Sequence, residues 1–323
     1  MPEAATKNVP MKEIGAKQVV RQGLGRIGVQ ALLVFAVALI AGCATPDAAT
    51  QIKNFSNAVA LTASNSVLAY DLVEEEHFEA QFSEAVVNYK GLHFTPVFPS
   101  FMTPAQLKVR QDVLNGFTTY AAQLSALMGN PTLANLDQDT TKLGKSLNGL
   151  NQQLVASAFV KSPLVSSNDV QIFTAAVNFL GNWLITRKAQ NDAKAAIASM
   201  QKQVPAICQL LEKDFAIMHN QLTNDFTDTA RNTDLYLQQS YPHLDPVQRR
   251  AELRHLAALN AARQKADASM TAIQSSVAKI QAAHQALDQA FTKDTTNLRS
   301  LISEASGEAQ RVAAYYNSLR TNQ

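Results

Sequence analysis

Two cysteines, one tryptophan and twelve glycines among 323 residues exclude several common architectures at once. Two cysteines build neither a disulfide framework nor a four-cysteine zinc site. Charged residues are only 17%, and the net charge of +2 is too near neutral for a dedicated nucleic-acid binder. At 46% hydrophobic content the chain is too apolar to remain disordered. No segment sustains period-two alternation around an Asn-Gly or Asp-Gly turn, so strands and hairpins have no support. The longest dense apolar run, Ala31–Ile40, falls well short of the ~20 residues that a bilayer crossing needs.

That run belongs to a three-zone export signal. Lys7, Lys12, Lys17, Arg21 and Arg26 precede it against only Glu3 and Glu13, and it ends in Ile40-Ala41-Gly42-Cys43. The tetrapeptide resembles the lipobox of bacterial lipoproteins, with Ile40 where the family usually has leucine. The resemblance covers the first forty-three residues. It implies cleavage after residue 42, a diacylglycerol on the Cys43 sulfur and, with Ala44 following, sorting to the outer membrane. The basic zone is long, and Met11 offers a more typical start than Met1. Multiple acyl chains give stable anchoring in the bilayer. Residues 43–47 then form a short tether. Loss of residues 1–42 removes five Lys/Arg and two Asp/Glu, leaving a net charge of −1.

Gly23-Leu24-Gly25-Arg26-Ile27-Gly28 spells a dinucleotide fingerprint, with Asp47 about 20 residues on. Its glycines lead into the secretion core and not into a helix of a βαβ unit, so the context fails.

Beyond Cys43, prolines fall where helical periodicity lapses, except Pro205. The spacing predicts an all-α fold: one domain over 48–320, an elongated antiparallel bundle of long helices with coiled-coil-like packing. A first helix is expected over Ala48–Lys90, its stripe passing through Ile52, Phe55, Val59, Leu68, Leu72, Phe78, Phe82, Val86 and Tyr89. A second opens at Thr103-Pro104-Ala105-Gln106, a capping box with proline at the first helical position, and breaks at Gly129-Asn130-Pro131. A third carries Leu133 through Leu154 and ends near Pro163. A fourth starts after Asp169 and passes Met200, with a kink or restart at Pro205. The last opens at Asp245-Pro246 and holds a three-four rhythm through Tyr316, folding back near Gly307 if at all. Two hairpins, 48–160 and 169–320, group these helices.

Candidate chemistry is sparse. Glu74…His77 and Glu252…His255 have the i, i+3 spacing by which helical bundles present ligands to two metal ions. Both rings, however, lie about 100° around the helix from neighbouring stripe residues and should point outward. The run Asp71, Glu74, Glu75, Glu76, Glu79, Glu84 could bind a cation or a basic partner, or be a solvated face; Glu75 lies nearest the apolar stripe and is the one expected to be buried. Residues 170–186 are uncharged and apolar nearly all round, which suggests a central core helix or a segment able to insert in a membrane. Phe173, Phe179 and Trp183 belong to it. Phe94, Phe98 and Phe101 crowd the loop before the second helix, as an apolar cap or as a tip touching a partner or lipid. Cys208 is expected to be buried and inert, and His284 to be a satisfied core histidine.

With no phosphate loop, paired cysteines or nucleophile scaffold, no enzyme activity and no cofactor are expected. The leading expectation is a periplasm-facing lipoprotein, held to the bilayer by acylated Cys43, that acts as a scaffold or binds an envelope protein or itself, and no nucleic acid. Alternatives are a helical pore-former using residues 170–186, an outline shared with helical toxins, or a metal- or small-ligand-binding bundle.

Overall fold

The computed structural model describes residues 46–89, 97–129, 140–158, 160–183 and 190–320. They form α1 (Pro46–Val87), α2 (Pro104–Leu127), α3 (Thr140–Ala156), α4 (Ser167–Trp183), α5 (Gln190–Ser199), α6 (Gln203–Ser240), α7 (Pro246–Gln285) and α8 (Thr296–Arg320). A 3₁₀ turn, Leu287–Phe291, links the last two. No strand occurs among the described residues, and the chain is an all-α helical bundle.

Helix ends follow local chemistry. The Thr103 hydroxyl accepts from the Gln106 N–H while the Gln106 side chain returns to the Thr103 N–H, with Pro104 next in line. Asp245 and Gln248 repeat this device before Pro246. Gly129, at φ 86°, ends α2 in the left-handed conformation that favours glycine. Pro205 lies in the first turn of α6, where its missing N–H is harmless, so the chain restarts there and does not kink. The third helix ends at Ala156, earlier than the Pro163 signal suggests, and Asn151 ties the following loop by accepting from the Leu164 N–H at 2.9 Å.

The long terminal helix is the main correction. It stops at Gln285, makes the 3₁₀ turn, and returns as α8 antiparallel to α7; Ser276 donates to the Ala305 carbonyl and Tyr315 to the Ala262 carbonyl. Gly307 sits inside α8 and bends nothing. The three-four rhythm runs across the turn because Leu287, Ala290 and Leu298 are buried in the same core as Ile280. Periodicity reports which residues face inward and is blind to a reversal between them.

Grouping into two successive hairpins fails as well. Helix α1 packs chiefly against α6 and α8, then α2, with α7 diagonally across. It runs parallel to α6, as Tyr70–Asp214, His77–Asp225 and Ser83–Asn232 contacts show, and antiparallel to α7. Thr62, Ser276 and Asn65 stitch α1 to α7 and α8 through buried hydrogen bonds. Helices α2, α3 and α4 form a layer on the other flank, where Gly116 leaves room for the Leu143 side chain. Asp47, at the start of α1, accepts from Gln51, Arg299 and Thr295 and so pins that end to the start of α8. The Gln51 bond and then Arg299 hold its carboxyl below the usual range.

Helix α4 is a surface helix and not a central one. Val170, Phe173, Val177 and Leu180 are buried at spacings of three and four, while Ile172, Asn178 and Phe179 face outward. No helix among the described residues is long and apolar enough to cross a membrane.

Candidate functional site

The acidic run of α1 changes face at residue 73. Val73, His77, Ala80 and Ser83 turn toward α6, where His77 and Ser83 find partners. At 100° per residue Phe78 is about 140°, and Phe82 about 180°, around from Val73. Both therefore point outward, 46% and 47% exposed, with Val86 and Tyr89 beyond them. The stripe drawn from Ile52 to Tyr89 thus joins two different faces of one helix. Its lower part is core; its upper part is surface.

A strap, residues 97–103, lies along this outer face. Glu74 fixes it by accepting the N–H groups of Phe101 at 3.2 Å and Met102 at 2.6 Å. Gln81 adds a bond to the Pro99 carbonyl at 2.9 Å. Phe98 meets the Phe78 ring edge-on at 5.2 Å, and Phe78 stacks on Phe82 at 6.2 Å. Between helix and strap is a groove of about 500 Å³ lined by Glu74–Glu79 and Phe98–Ser100. Its chemistry is two phenylalanine rings, Phe78 and Phe98, bordered by carboxylates, with Phe82 stacked beside Phe78, suited to a side-chain array that is basic and apolar together.

Beneath the groove lies a polar cluster that sequence reasoning missed. His77 Nδ1 is 3.1 Å from the Asp225 carboxylate, and Gln221 donates to the same oxygen at 2.9 Å. His77 is turned inward, against the outward expectation, because that expectation took Phe78 as the core reference. Burial raises the Asp225 carboxyl above its ordinary range, and the His77 contact opposes the rise. Glu75 is exposed; Glu76 is the carboxylate turned inward, toward Asp225 and Tyr315. Burial, then the fields of Glu79, Glu75 and Asp225, push Glu76 up to about 7. Nothing in the local sequence reveals Asp225, which stands 148 positions from its partner.

Glu76 has a testable consequence. Its folded pKa exceeds the unfolded value of 4.5, so its contribution is fully favourable below pH 4.5 and is lost as pH rises through about 7. The shift corresponds to at most about 3 kcal/mol, and partial exposure brings it nearer 1–2 kcal/mol. Glu76→Gln should therefore raise the melting temperature at pH 8 and leave it nearly unchanged at pH 4.5. Equal shifts at both pH values would refute this assignment.

The remaining site residues separate. Glu252 is half-buried and His255 exposed on α7, while Glu74 and His77 are committed to the strap and to Asp225. No group of three or more His, Cys, Asp or Glu among the described residues could hold a metal ion. The paired Glu-x-x-His spacings thus do not assemble a dimetal site. Phe173 is buried against Tyr120, Phe179 is half exposed on α4, and Phe101 packs its ring against His77. Cys43, Phe94 and the Trp183 side chain lie outside the described residues. Cys208 is fully buried, and burial pushes its thiol far up, consistent with the inert role. Searches against family models, curated proteins and solved structures find no match for this chain.

Proposed function

We propose that this chain is a lipid-anchored, non-enzymatic scaffold of the bacterial cell envelope, facing the periplasm from the outer membrane. The observation that carries this reading is the placement of the acidic, aromatic face of α1 relative to Cys43. Helix α1 begins three residues after Cys43, and Phe78 and Phe82 lie about 50 Å further along it. A bilayer-held Cys43 would keep the start of α1 near the membrane and the groove away from it. The groove offers an aromatic anchor patch with a charged rim, the composition of a protein-binding surface.

Labelling with a palmitate analogue tests the anchor: wild-type chain should carry label and Cys43→Ala none. Photo-crosslinking from Phe82 in intact cells tests the face. A discrete protein adduct is expected from position 82 and none from the exposed Lys53 on the same helix. Unlabelled wild-type chain would remove the envelope reading, and absence of any adduct at position 82 would remove the binding reading.

A further inference from the structure

The interior of the bundle changes character along α6. Before Asp225 its inward residues include Leu211, Phe215, Met218 and Leu222, all buried. From Asp225 onward Phe226 and Leu237 are the only apolar residues of α6 that are buried, and Asp225, Thr229, Asn232 and Thr233 take the other inner positions. On α7 the stretch Pro246–Lys265 contributes no fully buried residue. The end of the bundle remote from Pro46 is thus polar inside and lightly packed.

At the border of the two zones stands an acid pair with one oxygen unsatisfied. Asp225 is 3% exposed. Its Oδ1 is shared by His77 at 3.1 Å and Gln221 at 2.9 Å, whereas Oδ2 is buried with no hydrogen-bond partner among the described residues. Such an oxygen is costly to leave bare. Glu76 is turned toward this carboxylate and toward Tyr315 of α8. A proton on Glu76 removes one of two neighbouring negative charges and makes a carboxyl donor available to Oδ2.

The surrounding charges offer Glu76 no other relief. Glu79 and Glu75 on its own helix and Asp225 on α6 all oppose its ionisation, and Asp228 acts on Asp225 in the same sense. Tyr315 also feels Asp267 of α7, which is itself within reach of His219 and Arg263. His77 is engaged with Asp225. No cation is among the groups that act on Glu76.

We propose that Glu76 and Asp225 form a proton-operated latch: while one proton is held between them, α1 beyond Val73 stays against α6, and loss of that proton to solvent releases this end of the helix. The latch goes beyond the binding reading and does not depend on it. Release is local because of where the pair sits. Before it on α1, Tyr70, Leu72 and Val73 are buried and Tyr70 is tied to Asp214. After it, α1 is held to α6 by the polar contact of Ser83 with Asn232. Opening that end exposes little apolar surface, so it needs far less free energy than unfolding the core. The strap travels with α1, because Glu74 and Gln81 bind its backbone.

The sign follows from linkage. Glu76 gives up its proton near 7 when closed in and at its ordinary 4.5 when opened to water. Opening is therefore rarest below pH 4.5, grows as pH rises from 4.5 to 7, and levels off above that.

Amide hydrogen exchange of the intact chain at pH 5 and pH 7.5, corrected for intrinsic rates, reads the opening of each segment. Residues 76–87 and 225–237 should open at least about tenfold more often at pH 7.5, while 205–222 should change by less than about twofold. Glu76→Gln should hold both segments at their acid level at either pH. Asp225→Asn removes the charge that opposes ionisation and should shrink the rise below that of wild type. Equal opening at the two pH values would overturn the latch, as would a Glu76→Gln chain that keeps the wild-type rise. A rise of the same size in 205–222 would also overturn it, because the whole bundle would then be unfolding.

Discussion

Arg110→Met should cost about 3–5 kcal/mol of folding stability, more than any surface substitution in this chain. The guanidinium is 4% exposed on α2 and meets Asp214 of α6 two-pronged, Nε to Oδ2 at 2.9 Å and Nη2 to Oδ1 at 2.7 Å. Tyr70 of α1 donates its hydroxyl to Asp214 Oδ2 at 2.9 Å, and Arg110 Nη1 reaches Gln153 of α3 at 2.8 Å. Four helices thus share one buried charge network. Methionine fills similar space but leaves Asp214 without its counter-charge. Burial already raises the Asp214 carboxyl, and only Arg110 and the Tyr70 hydroxyl oppose it. In the variant Asp214 would take up a proton, which bounds the loss and makes it smaller at low pH. Urea unfolding at pH 7 and pH 5 measures both the size and the trend. Arg110→Met/Asp214→Leu should recover much of the deficit, because removing both charges removes the uncompensated one. If the double variant is no better than the single, the pair is not the source of the loss.

None of this network is legible in the sequence. Arg110 and Asp214 look like ordinary charges of amphipathic helices, and their pairing joins α2 to α6 across 104 positions of chain. What the sequence does carry is whatever lies within one or two turns: the Thr103 and Asp245 caps, the Gly129 stop, and the inward positions of most helices. Phe78 shows the limit. Apolar residues recur four apart at Leu68–Leu72 and again at Phe78–Phe82–Val86 with a six-residue step between, yet the second set lies on the outer face, and only the location of α6 decides which face is core. His77 faces inward, toward Asp225, for the same reason. The α7–α8 reversal escaped because the residues on either side of it fill one core.

His284 should dominate the acid limb of stability. Its ring is fully buried, packed near Phe55 and Tyr120, and its Nε2 shares a 2.8 Å hydrogen bond with the Tyr120 hydroxyl. Burial pushes its pKa from 6.5 down to about 3. The unfolded chain therefore binds a proton below pH 6.5 that the folded chain refuses. Stability is whole above pH 6.5 and falls as pH drops from 6.5 toward 3, by up to about 4–5 kcal/mol over the full interval. At pH 4.5 the loss should be about 2–3 kcal/mol. His284→Gln keeps a polar partner for Tyr120 and does not titrate. It should cost a little at pH 7 and lose about 2–3 kcal/mol less than wild type between pH 7 and 4.5. Parallel pH profiles for the two proteins would disprove the role. Glu76 acts with the opposite sign, so a double variant separates the two contributions.

The parallel packing of α1 on α6 and α8 also governs when the fold can form. The first helix made must leave its inner face, Ile52, Phe55, Val59 and Val73, uncovered until chain beyond residue 203 has emerged. Local hairpins α2–α3 and α7–α8 can close early, but the bundle core waits on contacts about 150 to 250 positions apart. Such distant closure slows folding and favours a long-lived open chain. The last segments of the chain thus decide when its first helix becomes rigid.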